Sequence, residues 1–477
     1  MASKLFTGGT IISYSPSSHS LQPIRNGSLL VTNGKIAEIY SEPPPKADLP
    51  KDTEVIDVTG KIITPGFIDT HRHGWQTAFK TLGPNTTLAA YFQQFGQFVP
   101  AVAENFTSED LYLGQLAGLY EALNAGVTST VDHAHGHWRR EDVDEEIKAC
   151  VESGARVFYG YTFHSTPKGW PIEEQFEHFK GKIQEFRGND GLVSLGISYD
   201  GFAMGTPDID KQVVDVAQYV YDVPDLPLIG WSLDIPTLVD QAGLLRSEIP
   251  VIFSHSSFIT AEDIDLLRET NQYISTTPES EFHYGHDNPG AELCQDQASL
   301  GVDTHFTFST DILTQARLWL QHLRAANFRK TLETQKIPIE NPMSVSQAFL
   351  LATRAGGLAL RRPDLGVIQK NATADLCFFD GNSPSLLGWY DPVAAVILHA
   401  HVGDISDVIV NGEFVKRDGK IIAPGYDSIK ERFLKSARKI QEVWTRIGDP
   451  KMTLGEDKFL GFLEYGEVQK VVSQRKE

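Results

Sequence analysis

From Gly60 onward, short apolar runs alternate with longer stretches in which apolar residues recur every three or four positions. Short runs bounded by turn residues read as buried strands, and the longer stretches as amphipathic helices. The strand candidates are 62–71, 128–133, 156–164, 192–200, 227–234, 251–255, 273–279 and 303–311. Helical segments lie between many of them. Residues 112–126 stop at Gly126, and 145–154 repeat that design with Gly154. Residues 260–271 open on Thr260, with Glu262 and Asp263 in the first turn, where a hydroxyl cap and acids satisfy free backbone N–H groups. Strands joined by crossover helices make a parallel sheet, and eight of them predict an α/β fold of the (β/α)8 TIM-type barrel kind.

The two chain ends differ from this middle. Residues 5–14, 28–40 and 54–60 alternate apolar and polar positions, with an Asn33-Gly34 turn suited to a hairpin. The Pro-rich stretch 41–50 reads as an exposed loop. After a helix over 348–362, strand-like pieces return at 375–380, 394–400 and 407–422, the last with an Asn411-Gly412 turn. The expected organisation is 1–58 and 366–425 as two halves of one composite β-sandwich, 59–365 as the barrel, and 426–477 as a helical tail with its helix over 428–444.

The strand candidates end in ionisable residues: His71, Asp132 with His133, His164, Asp200, Asp234, His255, Glu279 and Asp311. In a barrel of this kind all strand C-termini open on the face where active sites are built. His71 and His73 stand two apart, so an extended chain points both imidazoles to one side, as a metal requires.

Composition narrows the partners. There are 62 acidic against 42 basic residues, a formal charge of −20, which opposes nucleic-acid or anionic-membrane binding. No apolar run is long enough to span a bilayer. Cys150, Cys294 and Cys377 are too few and too scattered for a disulfide framework. The opening residues carry no charged-then-apolar leader pattern, so a cytoplasmic protein is expected. No Gly-rich phosphate loop follows a strand, so no nucleotide cofactor is expected.

Several tracts together resemble the amidohydrolase superfamily, and most closely its branch of deaminases and chlorohydrolases. They are GKIITPGFIDTHRH (60–73), AGVTSTVD (125–132), FSHSSFITAEDIDLL (253–267), TPESEFHYG (277–285), FSTD (308–311) and SQAFLLATRAGGLALR (346–361). The ends match as well, through LFTGGTII (5–12), NATADLCFFD (371–380) and VIVNGEFVKRDGKII (408–422). The resemblance implies a barrel flanked by a composite β-sandwich, and one divalent metal, zinc by preference. It implies metal ligands His71, His73 and Asp311, with His255 polarising the substrate or anchoring water, and Asp311 also accepting a proton. The fifth-strand positions depart from the pattern. Asp234 keeps a shortened carboxylate there for protonating the substrate, but Trp231 falls where an imidazole ligand is expected. His255, His164 or His133 is then the candidate to complete the metal shell.

Trp75, Gln76 and the stretch 91–101 follow the first histidine pair, and their aromatic and Gln side chains suit a pocket wall. With His164, Trp231 and Glu279 they form the expected substrate-binding set, fitted to a flat or aromatic small molecule. His133, His135 and His137 are either a second metal site or a loop at the mouth. Glu279 and Glu281 also read as helix-capping groups.

The leading expectation is hydrolysis of a C–N bond, by deamination of a heterocycle or cleavage of an amide. Two rivals stand beside it: an altered barrel running a metal-independent lyase, isomerase or cyclase step, and a non-catalytic barrel. A homodimer is expected only by analogy with similar barrels.

Overall fold

The computed structural model describes residues 3–165, 169–186, 191–202, 207–221, 228–230, 236–450, 452, 458–459 and 463–469. A parallel barrel sheet of eight strands is built from Phe67–Arg72 (β1), Val127–Ala134 (β2), Arg156–Thr162 (β3), Val193–Tyr199 (β4), Leu228–Gly230 (β5), Val251–Ser254 (β6), Tyr273–Thr276 (β7) and Ala298–Leu300 (β8). Each pairs with its sequence neighbour in parallel. The sheet closes through a bridge between Arg72 and Asp303, with Val302 N and Asp303 N both donating to His71 O. Gly301 permits this closure. A Cβ there would lie 2.8 Å from His71 N and 2.7 Å from Ser275 Oγ.

The helices follow the local signals. Ser108–Asn124 is capped by Thr107 and Asp110, which bond reciprocally across the first turn. Ala261–Thr270 is capped the same way by Thr260 and Asp263, and ends on Asn271 in the left-handed conformation.

The second layer is a nine-stranded sheet drawn from both chain ends. Lys4–Ser15 pairs with Ser20–Thr32 and, in parallel, with Lys61–Pro65. Lys61–Pro65 in turn pairs antiparallel with Leu376–Asp380, which joins the two ends of the chain. The expected hairpins at Asn33-Gly34 and Asn411-Gly412 both form. All four turn residues have positive φ, at 50°, 73°, 50° and 80°, as such turns require.

Four expected elements differ, the first being the helix over 348–362, which is broken at Thr353 into Val345–Ala352 and Arg354–Ala359. The run 62–71 is two strands, because Pro65-Gly66 moves the chain from the composite sheet to the barrel. Residues 394–400 are not a strand. Asp391 accepts from Val393 N and Ala394 N, and the chain turns helically through Pro392–Ala394 and Ala395–His399. A short buried apolar run carries no periodicity that separates the two forms. The last barrel strand lies at Ala298–Leu300 rather than 303–311, and that offset matters for the site.

Helix Tyr426–Ile447 packs back against helix Ser108–Asn124 and the turn that follows β1. The Trp444 ring centroid lies 4.7 Å from that of Phe79, and its Nε1 donates to Gln94 O at 3.0 Å. Gln441 donates to Ala78 O, and Lys439 and Ser436 bond to Asp110.

Candidate active site

β1 is buried along its length and delivers His71 and His73 to the barrel mouth. His71 Nδ1 is 2.8 Å from Ser254 Oγ at the end of β6. His73 Nδ1 is 2.9 Å from His133 O, at the end of β2. A carbonyl only accepts, so His73 Nδ1 carries a proton, and Nε2 is the atom that faces the pocket.

Both Nε2 atoms turn to Asp303, three residues beyond β8. Asp303 Oδ1 stands 3.0 Å from His73 Nε2 and 3.5 Å from His71 Nε2. His255, directly after β6, brings its Nε2 within 3.9 Å of Asp303 Oδ2. Ser280 Oγ donates to the same carboxylate. His255, Ser256 and Asp303 all have left-handed backbone, at φ of 65°, 57° and 67°. That conformation is uncommon for side-chain-bearing residues and clusters at functional sites.

Burial penalises a charged Asp303. Contact with His71 and His73, together with the nearby His255, outweighs that penalty and holds the carboxyl well below its usual range. Burial drives His71 well below the ordinary imidazole value. Burial also lowers His73, but its bond to Asp303 and the charge of that carboxylate reverse the direction, and it ends raised. The pocket is thus an anionic carboxylate ringed by imidazole nitrogens, a place for positive charge.

Asp311 does not join this group. It caps helix Ile312–Leu332, its Oδ1 accepting from Thr314 N at 2.6 Å and its Oδ2 from Thr314 Oγ1 at 2.9 Å. The reason is the position of β8: the strand ends at Leu300, so the carboxylate just past it is Asp303.

Trp75 and Gln76 lie beneath the mouth rather than lining it. The turn Gly74–Phe79 is buried throughout. The Trp75 ring packs against Phe106 and Trp138, at 5.3 and 5.6 Å between centroids. Gln76 Nε2 donates to Tyr91 Oη at 2.9 Å and to Phe95 O at 3.2 Å. His164 packs on His137, at 5.4 Å between ring centroids, and on Phe98, at 5.7 Å. Glu279 accepts from Ser309 at 2.6 Å and from Gln315 at 3.2 Å, and is half-buried. Its neighbour Glu281 is fully buried and accepts from Thr276 Oγ1 and Thr277 N. Trp231 and Asp234 fall outside the described residues.

A small cavity opens beside Asp303. It is lined by His73, His133, His135, Asp200 and His255, and walled by Leu88, Tyr91, Phe92, Gln97 and Tyr284. Three of those walls come from the stretch 91–101 that the sequence marked. Trp75 Nε1 donates to His135 Nδ1 at 3.3 Å, so a neutral His135 carries its own proton on Nε2. Among the described residues neither ring nitrogen of His133 has a hydrogen-bond partner, with Asp200 Oδ2 standing 3.4 Å from Nε2. His137 is turned away, bonded through Nε2 to Thr162 O at 2.9 Å.

Residues 62–217 match the amidohydrolase family. A 5-methylthioadenosine/S-adenosylhomocysteine deaminase of Pyrococcus furiosus is 26% identical over 434 residues, covering 86% of this chain and 96% of that protein. Among solved structures, an adenosine deaminase from Xanthomonas campestris with bound zinc superposes with a TM-score of 0.76 at 18% identity, over 93% of this chain and 99% of that one. An atrazine chlorohydrolase from Arthrobacter aurescens TC1, complexed with zinc and atraton, does so with a TM-score of 0.76 at 18% identity, over 91% and 100%.

Proposed function

We propose that the chain, whose residues 62–217 match the amidohydrolase family, is a metal-dependent hydrolase that deaminates a small heterocyclic metabolite. The observation that carries this reading is the convergence of His71 Nε2 and His73 Nε2 on Asp303. The relatives' activities, deamination of adenine-containing compounds among them, point to the same class of C–N hydrolysis.

The residues fit a divalent metal. Among the described residues His71 Nε2 is buried without a hydrogen-bond partner, while its other nitrogen is held by Ser254. Imidazoles with a carboxylate, each imidazole oriented through its far nitrogen, are the donor set zinc takes. His71, His73 and Asp303 would hold the ion, which supplies Lewis acidity and lowers the pKa of water towards about 7.

The chain's own groups divide the rest of the work. Asp303 lies where a carboxylate can take the proton of an attacking water and pass it on. His135 presents an N–H to the cavity and suits a ring nitrogen or a developing negative charge. Asp200 and His133 face the same space and suit the departing amine. Tyr91, Phe92 and Tyr284 give the cavity flat apolar walls for a planar ring. Asp234 retains the proton-donating role expected of it from the sequence. A small-molecule substrate, a cytoplasmic location and a homodimer complete this reading; the buried, disulfide-free cysteines agree with a reducing compartment. No helix among the described residues is long and apolar enough to cross a membrane.

The test is ammonia release from a panel of adenine nucleosides, free nucleobases and aminated triazines, by zinc-reconstituted protein. The proposal expects turnover of at least one heterocyclic amine, its loss on chelation and its return with zinc. Chelation without effect on an observed activity would favour the metal-independent alternative instead.

A further inference from the structure

The barrel face opposite the candidate site carries a groove of about 610 Å³. Tyr273 and Ala298, the first residues of β7 and β8, line it, so it opens at the N-terminal ends of those strands. Its floor is apolar and buried, made by Leu323, Met343 and Leu351. The acids at its edge are engaged within the chain, Glu292 with His322 Nε2 at 2.7 Å and Asp296 with Arg268 at 2.8 Å. Arg354 lines the groove as well. Its guanidinium carbon lies 4.8 Å from the Tyr14 ring centroid, and among the described residues it makes no hydrogen bond or ion pair. The groove therefore sets an uncommitted positive charge beside an apolar floor.

Next to this groove the chain turns apolar side chains outward. Helix Ile312–Leu332 gives Leu323 to the groove, and the chain comes back to it at Pro342 and Met343. Between these points, 336–339 is neither helix nor strand. Pro338 fixes its own φ and biases Ile337 towards extended backbone. In an extended chain, residues two apart face the same way. Pro338 is half-buried, whereas Ile337 is 79% exposed and Ile339 95%, the most exposed large apolar side chain among the described residues. Glu340 follows, exposed, and has no hydrogen bond or ion pair among the described residues. Two β-branched side chains held outward on a stiff segment give up little freedom on docking.

We propose that this face docks a second copy of the chain, the segment 336–340 of each copy lying in the groove of the other. Ile337 and Ile339 cover the floor of Leu323, Met343 and Leu351, and Glu340 meets Arg354. The occupant follows from what the chain itself carries. An apolar pair with an uncommitted acid lies beside an apolar groove with an uncommitted cation, on one face. A two-fold axis satisfies both at once, because each contact is then made twice, once in each direction. Exposed apolar groups joined to such a groove mark an association surface. The homodimer of the reading above thereby gains a place on the molecule. It depends on none of that reading's chemistry, since it lies on the far side of the barrel from His71, His73 and Asp303.

The test is the oligomeric state of the full-length protein, read by sedimentation velocity across micromolar concentrations. The proteins are the wild type, Ile339→Asp, Glu340→Arg, Arg354→Glu and the double variant Glu340→Arg with Arg354→Glu. The wild type is expected to be a dimer. Ile339→Asp should weaken association by at least about 100-fold, the effect of losing a central apolar anchor, with an unchanged melting profile because the side chain has no packing to lose within its own chain. Each single charge reversal should weaken association by about 10-fold or more. The double reversal restores opposite charges across the axis and should recover association to within a few-fold of the wild type. If Arg354→Glu fails to fold, Ile339→Asp and Glu340→Arg still decide, since both positions are exposed. A wild type that stays monomeric overturns the proposal and leaves the groove to a small ligand or a different protein. A wild-type dimer that Ile339→Asp leaves intact also overturns it, and an unrecovered double variant overturns the Glu340–Arg354 contact. Ammonia release per chain should be the same in Ile339→Asp as in the wild type, so failure of this surface and failure of the deamination reading are seen separately.

Discussion

Asp303 Oδ1 and His73 Nε2 stand 3.0 Å apart at the barrel mouth, while the other nitrogen of the same ring is committed to the His133 carbonyl. The residue directly after β1 is thereby tied at once to β2 and to the turn after β8. The site cannot loosen without opening the seam where the barrel closes, because His71 O also receives Val302 N and Asp303 N.

This relationship separates two aspartates that lie eight positions apart in the sequence. Asp303→Asn should lower kcat by about 10²–10⁴-fold, the range for removing a positioned proton-transfer group. Asp311→Asn should leave kcat within a few-fold. Asp311→Ala should instead lower thermal stability by about 1 kcal/mol, the typical cost of losing a helix cap. Steady-state kinetics and thermal melts on the three variants decide it.

Ser254 Oγ is the partner that orients His71. Ser254→Ala removes that bond without adding bulk, so zinc affinity should fall by about 10–100-fold. Chelator competition measures it, and an unchanged affinity would show that the ring is held by packing alone.

His137 gives a pH prediction away from the metal. Burial pushes it down to about 4 from an ordinary 6.5. Between those values the unfolded chain binds the proton and the folded one does not, so this residue's contribution to stability falls as pH drops from about 7 to 4. The full effect is roughly 3 kcal/mol. Asp69, raised to about 7 by burial, works oppositely: the folded chain holds its proton where the unfolded one has lost it, so its contribution falls as pH rises. Denaturant melts from pH 4.5 to 7.5 on wild type and His137→Gln isolate the histidine, and the variant should have the shallower loss on the acid side.

Trp444 links the C-terminal helix to the wall of the cavity, through Gln94 O and the face of Phe79. Trp444→Ala should cost about 3–5 kcal/mol, as for other buried aromatic truncations. Because helix Leu88–Gln94 carries Tyr91 and Phe92, KM should rise more than kcat falls. Melts and kinetics at a temperature where the variant stays folded test both parts.

The barrel was legible because its signals are local and repeated: apolar strands, Thr-capped helices and Gly stops recur around the sheet. His71, His73 and His255 were legible for the same reason, each ending or following a clear strand. Asp303 was not. β8 contributes only Ala298–Leu300 to the ladder, while the later stretch FTFSTD alternates like a strand and is a turn leading to a helix cap. Trp75 and Gln76 follow the histidine pair in sequence, but a tight turn folds them under it, and adjacency along the chain did not reveal that. Glu281 read as a capping group, which it is. What the sequence hid is the distance of 3.5 Å from its carboxylate to His255.

The most direct test of the central claim is ammonia release from the heterocyclic amine panel, measured in parallel on zinc-reconstituted wild type and zinc-reconstituted Asp303→Asn. The account predicts zinc-dependent release by the wild type and a loss of about 10²–10⁴-fold in the variant. Equal release by the two proteins, or release by the wild type that survives full removal of metal, would contradict it.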